Sequence, residues 1–324
     1  MRRFAGALLA TALLPLASGC GGPGAAPRPA PPPAKVPTVL HGAGRQALAY
    51  REPYETEKAE LLATINAERA RAGAGPVAYS LRAARAGDLF CLDAATRDSV
   101  GHWDLDGRPP YLRYALAGGV DAHAENFASQ SQHPGPITTP VGELLLAAHA
   151  RFMAEKPPDD GHRKTVLDPQ WTHVGIGAAL VGGEFRMTEE YVREVLEWVE
   201  VPAGPVGAGG TAPFGAKLPP GWNVGGVEVS YEPPPKPITR SQAARRGAYG
   251  YPEAALRLRP VPPVGTRYPE GDRGEFSVSA SGFFRLLVPL ASGPGSYYVH
   301  VYAAQGPAFG VRLTSVSAAR IEAR

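Results

Sequence analysis

The chain has 324 residues, 44% hydrophobic and 19% charged, so it is long enough to build two domains with real cores. Its 33 basic residues face 30 acidic ones, and no Lys/Arg run exceeds two, so it lacks the electrostatic footprint of a nucleic-acid binder. Two cysteines, Cys20 and Cys91, give no disulfide framework.

At the start of the chain, Arg2 and Arg3 precede the apolar stretch Phe4 to Leu16, and Ala17-Ser18-Gly19-Cys20 follows. This is the pattern of a signal peptide ending in small residues at a cysteine. It resembles a bacterial lipobox, departing from it at Ala17, where Leu is preferred. Residues 1–19 are then expected to be removed and Cys20 to be acylated, so that the membrane is a partner through an N-terminal lipid anchor. An ordinary secretory signal with an incidental cysteine is the alternative. The apolar stretch is too short to span a bilayer, and no later segment approaches the roughly 20 residues a span needs. Gly21-Gly22 lacks the Asp that often marks inner-membrane retention, so the expected location is the outer membrane or cell surface. Loss of Arg2 and Arg3 leaves 31 basic residues against 30 acidic, a net charge of +1.

Residues 20–50 read as a tether. Pro23, Pro27, Pro29, Pro31, Pro32, Pro33 and Pro37 fall within 21–37, where Val36 is the one large apolar residue, so the segment cannot build a core. As a polyproline-like spacer it reaches about 50 Å.

Residues 51–202 read as helices followed by a hairpin. Leu61, Leu62, Ile65 and Arg69 recur at helical spacing, and Gly73 and Gly75 stop the first helix. Ser80 is suited to cap a second helix with Leu81, Ala84, Leu89 and Leu92 on one side. A third helix opens at Thr139-Pro140 and runs to about Lys156, with Leu145, Ala148 and Phe152 as its apolar stripe. Val174, Ile176 and Ala178 then alternate with Gly175 and Gly177, Gly182-Gly183 makes a tight turn, and Phe185, Met187 and Glu189 alternate on the return.

Residues 203–324 open with a Gly/Pro-rich stretch over 203–221 that reads as a linker or an opening irregular edge. Strand-like alternation follows at Val227/Val229/Tyr231, Leu256/Leu258, Phe276/Val278/Ala280, Tyr297/Val299/Val301 and Phe309/Val311/Leu313. Such spacing predicts a β-sandwich, with a binding or spacing role as an accessory domain.

Four residues draw attention for chemistry: His102, Glu125, Glu155 and His162. Glu155 continues the Leu145, Ala148, Phe152 stripe at helical spacing, so an unpaired carboxylate there would be costly and should meet a histidine, a donor or a metal. Pro157-Pro158-Asp159-Asp160-Gly161 can turn the chain so that His162 folds back over that helix end. Cys91 lies in the apolar run Leu89-Phe90-Cys91-Leu92 and reads as a buried, inert thiol. Arg69 reads as a structural ion-pairing residue. His41, His133, His149 and His300 have no sequence partner and read as surface or satisfied core residues. His123-Ala124-Glu125 copies the His-x-Glu of zinc deaminases without the Pro-Cys-x-x-Cys that must accompany it.

In order along the chain stand Ile65-Asn66-Ala67-Glu68-Arg69, Gly101-His102-Trp103-Asp104, Glu125-Asn126-Phe127-Ala128, Gly161-His162-Arg163-Lys164-Thr165-Val166-Leu167 and His173-Val174-Gly175-Ile176-Gly177. Together they resemble the bacterial members of the CAP superfamily, the SCP-like extracellular proteins related to cysteine-rich secretory, antigen 5 and pathogenesis-related proteins. The likeness covers roughly residues 55–195. It implies a fold class of α+β, a CAP-like three-layer α-β-α sandwich, here followed by a smaller all-β domain. It also implies a cleft lined by His102, His162, Glu125 and Glu155. Thr188-Glu189-Glu190-Tyr191 resembles the family's closing strand, with Glu189 in place of Gln.

Two imidazoles and two carboxylates suit Zn²⁺ or another divalent metal, and equally a hydrogen-bonded polar cluster that orders the fold. The first functional expectation is a non-enzymatic protein that binds a small apolar molecule, a glycan or another protein. The alternative is a metal-dependent hydrolase of peptide or cell-wall material, with Glu125 or Glu155 as general base on a bound water.

Overall fold

The computed structural model describes residues 50–262, 264–269, 273–308 and 311–324. The signal peptide, Cys20, the tether, His41 and Phe309 lie outside the described residues.

The first helix, α1 (Glu55–Arg71), buries Lys58, Leu61, Ile65 and Arg69 at helical spacing and stops where Gly73 takes a φ of 76°. Among the described residues Arg69 makes no ion pair of the kind its sequence setting suggests. Its guanidinium donates to the carbonyls of Gly75, Val166 and Asp168, satisfying backbone acceptors at a helix end. The short β1 (Ala78–Tyr79) leads into α2 (Leu81–Thr96), which Ser80 caps by accepting from Ala83 N–H. After α3 (Pro110–Leu116) come β2 (Ala122–Ser131), α4 (Val141–Ala154), α5 (Gly161–Leu167), β3 (His173–Val181) and β4 (Glu184–Arg193). Pro140 stands at the N-cap position of α4 without a side-chain cap, and Glu155 stands just past the helix end with an extended ψ of 147°.

These elements form three layers. The sheet runs β1-β3-β4-β2, with β1 parallel to β3 and the other pairs antiparallel. On one face Leu61, Ile65, Leu145, Phe152 and Val166 of the helices meet Val174, Ile176, Phe185, Met187 and Tyr191 of the sheet. On the other lies α2, contributing Ala83, Ala86, Cys91 and Ala95. Covered on both sides, β4 is buried along its whole length.

The second helix corrects an expectation. Leu81, Leu89 and Leu92 are 54%, 55% and 53% exposed, and the small residues Ala83, Ala84, Gly87, Cys91 and Ala94 face the sheet. The reason is proximity. A Cβ on Gly87 would lie 2.4 Å from Thr188 Oγ1, and one on Gly175 would lie 2.1 Å from Ala84 N, so only small side chains fit between helix and strand.

The remaining elements are β5 (Glu197–Glu200), β6 (Thr211–Lys217), β7 (Trp222–Glu232), α6 (Arg240–Arg245), β8 (Ala254–Leu258), β9 (Phe283–Pro289), β10 (Gly295–Gln305), β11 (Thr314–Ser315) and β12 (Ala319–Ala323). One sheet runs β5-β6-β9. The other runs β11-β10-β7-β8, with β12 also paired to β10. Their inner faces share a core of Phe214, Ala216, Phe284 and Val288 against Val227, Val229, Val299, Val301 and Ile321, a two-sheet sandwich. Three strand expectations change. The stretch 203–221 contains β6 and is not only linker. Phe276 and Val278 make isolated bridges, and Val311 and Leu313 lie in no strand.

Candidate functional site

Strand β2 is the edge of the four-stranded sheet, and the candidate residues gather around it from both helical layers. His102 comes from the loop between α2 and α3, and His162 from the first turn of α5. Their ring centroids are 6.4 Å apart. His102 Nδ1 lies 2.8 Å from Glu125 Oε1, and His162 Nδ1 lies 2.5 Å from Glu155 Oε1. The structure therefore brings the four sequence candidates together as two His–Glu pairs with facing rings. The His162 and His102 side chains are 34% and 19% exposed, whereas Glu125 is fully enclosed.

Each carboxylate is already engaged at both oxygens. The second oxygen of Glu125 pairs with Arg113 Nη2, and Arg113 Nη1 also donates to the His102 carbonyl. Burial works to raise the Glu125 pKa, but Arg113 and His102 outweigh it and hold the carboxyl below its usual range. Glu155 Oε2 accepts the backbone N–H groups of His162 and Arg163, the free donors at the start of α5. The turn before His162 thus returns as expected, but Glu155 acts from a non-helical position.

Further residues complete the surroundings. Phe152 stacks on His162 at 4.6 Å between centroids, and Phe127 stands 6.2 Å from His102. On the opposite side of β2, Asn126 Nδ2 donates to the His162 carbonyl and to Glu189, and Glu189 also holds His149 Nδ1 at 2.7 Å. His149, read from sequence as a surface or core residue, is a buried and paired one. Cys91 is buried, and burial raises its thiol pKa well above the usual value, which suits the inert thiol expected.

Sequence reasoning missed Arg113, Glu190 and Tyr249. Glu190 lies opposite Glu125 on β4 and bonds His123 Nε2 at 2.6 Å. Burial, then the Glu125 charge, raises its pKa well above normal, and burial lowers that of His123 to about 3. Burial thus disfavours the charged form of each partner. Tyr249 belongs to the segment after α6, and its ring sits 4.9 Å from His102. Its hydroxyl accepts from Glu125 N–H and donates to the Glu125 carbonyl, so it closes the open edge of β2 at the site itself. The chain on both sides of α6 packs on the loop that carries His102, with Ile238 N–H before the helix donating to the Leu105 carbonyl and Arg246 after it lying 4.5 Å over the Trp103 ring. Nothing in the local sequence around Tyr249 signals this role.

The chain is similar in structure to an extracellular protein with an SCP domain from Bacillus anthracis str. Ames. The identity is 20% and the TM-score 0.33, over 42% of this chain and 40% of that one. It is also similar to an outer surface protein from Borrelia burgdorferi, at 11% identity and a TM-score of 0.35, over 44% of this chain and 96% of the other. The chain thus spans about two fifths of the length of the Bacillus protein. No protein-family profile matches the sequence, and no curated protein matches it. The layering and the site geometry, and not these likenesses, carry the reading that follows.

The donor set limits what metal chemistry the site can support. Among the described residues no three His, Cys, Asp or Glu side chains converge on a point that could hold an ion. Glu125 and Glu155 are committed to orienting the imidazoles, so a closed four-ligand site does not fit. Histidines that ligate a metal are commonly oriented by outer-shell carboxylates, the arrangement that Glu125 and Glu155 give His102 and His162.

Proposed function

We propose that this chain is an exported, CAP-like binding protein of the cell envelope, and that its His102/His162 cleft receives a ligand or partner without catalysing a reaction. The observation that carries the proposal is the pair of neighbouring imidazoles, 6.4 Å apart between ring centroids, each oriented by its own carboxylate and each partly exposed. Such an arrangement offers two fixed ring nitrogens to a hydrogen-bonding ligand or to a weakly held divalent ion such as Zn²⁺.

Support for a non-enzymatic role comes from the acids. A general base needs a free carboxylate oxygen within reach of a water, and both oxygens of Glu125 and of Glu155 are engaged. The anchor belongs to the same proposal and rests on the sequence of the first twenty residues.

Calorimetric titration of the full chain with Zn²⁺ tests the site. The expected result is saturable binding that disappears in the combined His102→Ala, His162→Ala variant. Unchanged binding in that variant refutes the assignment. Turnover of a peptide or cell-wall substrate that is lost in Glu125→Gln or Glu155→Gln would favour the hydrolase reading instead. Cys20→Ala should release the protein from the membrane fraction, and its persistence there would refute the anchor.

A further inference from the structure

A second cleft, of about 1020 Å³, lies where one end of the first sheet meets the β7–β10 face of the second. It is separate from the His102/His162 pair. Strand alternation explains why it exists. Val227, Val229, Val299 and Val301 point into the sandwich core, which turns Glu228, Ser230, His300 and Tyr302 to the opposite face. On an ordinary outer face these would be solvated. Here Ser230 and His300 are buried, because the first sheet closes over them with Ala122, His123, Trp171 and Arg193.

The wall holds charge, but none of it is free for an anion. Arg193 lies 4.9 Å over the Trp171 ring and donates to the Gln170 side chain and to the carbonyls of Gln170 and Ser315. Arg257 pairs with Glu228 at 2.9 Å, and Glu228 also bonds the Tyr302 hydroxyl. Both buried imidazoles are neutral near pH 7, since burial lowers His300 to about 4 and His123 to about 3. A neutral imidazole offers one donor and one acceptor, and a hydroxyl offers one donor and two acceptor lone pairs. Ser230 Oγ and His300 Nε2 are 3.2 Å apart and form such a mixed pair.

Two ring nitrogens in this wall, His123 Nδ1 and Trp171 Nε1, are buried and have no hydrogen-bond partner among the described residues. Buried donors and acceptors are normally satisfied, so each calls for a partner that the protein does not itself supply. The apolar share of the wall is aromatic, from Trp171, Tyr251 and Tyr302, together with small residues such as Ala254 and Ala318. That surface suits flat stacking better than an alkyl chain.

We propose that this cleft is a binding site for a neutral glycan, whose hydroxyls meet His123 Nδ1, Trp171 Nε1 and the mixed donors and acceptors of Ser230 and His300 while a sugar face lies on the Tyr302 ring. A fatty chain would leave His123 Nδ1 and Trp171 Nε1 unpaired, and a phosphate would find no uncommitted cation.

The test is titration of the full chain with four neutral linear tetrasaccharides, of α-glucose, β-glucose, β-N-acetylglucosamine and β-mannose, followed by calorimetry and Trp fluorescence. At least one should bind saturably with a dissociation constant of about 1 mM or tighter, and His300→Ala and Trp171→Ala should each weaken it roughly tenfold or more. Trp171→Phe and Ser230→Ala provide milder variants if the larger changes lower the thermal midpoint, and each should still weaken binding. The combined His102→Ala, His162→Ala variant should leave the affinity unchanged, which keeps the outcome independent of the function proposed above. The inference is overturned if no tetrasaccharide saturates at about 10 mM, if binding is insensitive to every cleft variant, or if dodecanoate, inorganic phosphate or a neutral peptide binds there in place of the sugars.

Discussion

Glu125 and Glu190 stand directly opposite each other on the β2–β4 ladder, both buried, so two acids share one enclosed space beside His102. Arg113 and His102 hold the Glu125 pKa below its usual range, while burial and then the Glu125 charge raise that of Glu190 well above it, so the two acids favour opposite protonation states. In such a pair the titration belongs to the two acids jointly.

Glu190→Gln should therefore change the pH dependence of stability more than the stability itself. The folded pKa of Glu190 lies above its unfolded value of 4.5, so its contribution is fully present below pH 4.5 and is lost as the pH rises through the folded value. The Gln variant has no such loss. Thermal unfolding at pH 5, 6.5 and 8 should show the variant gaining on the parent as the pH rises, and a constant difference across the series would contradict the assignment.

The buried histidines carry the opposite sign. The His300 pKa is lowered from 6.5 to about 4, so its contribution is present above pH 6.5 and lost as the pH falls through 4, where the unfolded imidazole is charged and the folded one resists protonation. His300→Gln should flatten the acid limb of the stability profile between pH 6.5 and 4. An acid limb identical to that of the parent would show that this histidine is not shielded as described.

Arg113→Ala leaves the Glu125 carboxylate buried with one of its charged partners gone, which should cost about 3–5 kcal/mol. Adding Glu125→Gln removes the stranded charge and should recover a large part of the loss, measured by urea unfolding as a double-mutant cycle. Additive effects of the two changes would mean that the pair is not coupled.

Helix α2 offers a test of orientation. Gly87→Ala drives a methyl into Thr188 and the Gly177 backbone and should destabilise by roughly 1–3 kcal/mol. Leu89→Gln, on the exposed side, should stay within about 0.5 kcal/mol of the parent. The reverse order would place the leucines against the sheet.

Tyr249→Phe should cost about 1–2 kcal/mol by stranding the Glu125 N–H, and should shift the His102 imidazole resonances in NMR spectra. Unmoved His102 signals would show that the tyrosine does not sit on the site.

Much of this was legible in the residue order. The 3.6-residue rhythm of Leu61, Ile65 and Arg69, the Ser80 cap and the alternation of Val174, Ile176 and Ala178 with glycines are local signals, and each marks the element found there. The grouping of His102, Glu125, Glu155 and His162 was legible from motif order. The orientation of α2 was not, because leucine is the more apolar residue and only the distance between helix and strand makes alanine and glycine the ones that fit. Nor was the pairing of Phe276 and Val278, whose alternation matches a strand although they form only isolated bridges.

The sequence by itself determined the helices α1, α2 and α4, the β3–β4 hairpin and the glycines that turn it, because these follow from backbone preference and spacing over a few residues. The grouping of His102, Glu125, Glu155 and His162 was legible only through the family resemblance of their motifs. Only the tertiary structure decided that Arg113 and Glu190 set the charge of Glu125, that Tyr249 closes the β2 edge from 124 residues away, and that the polar face of β7 and β10 lines a second cleft. Those relationships depend on which surfaces meet when the layers pack, and burial then fixes the ionisation of groups whose neighbours are distant in the chain.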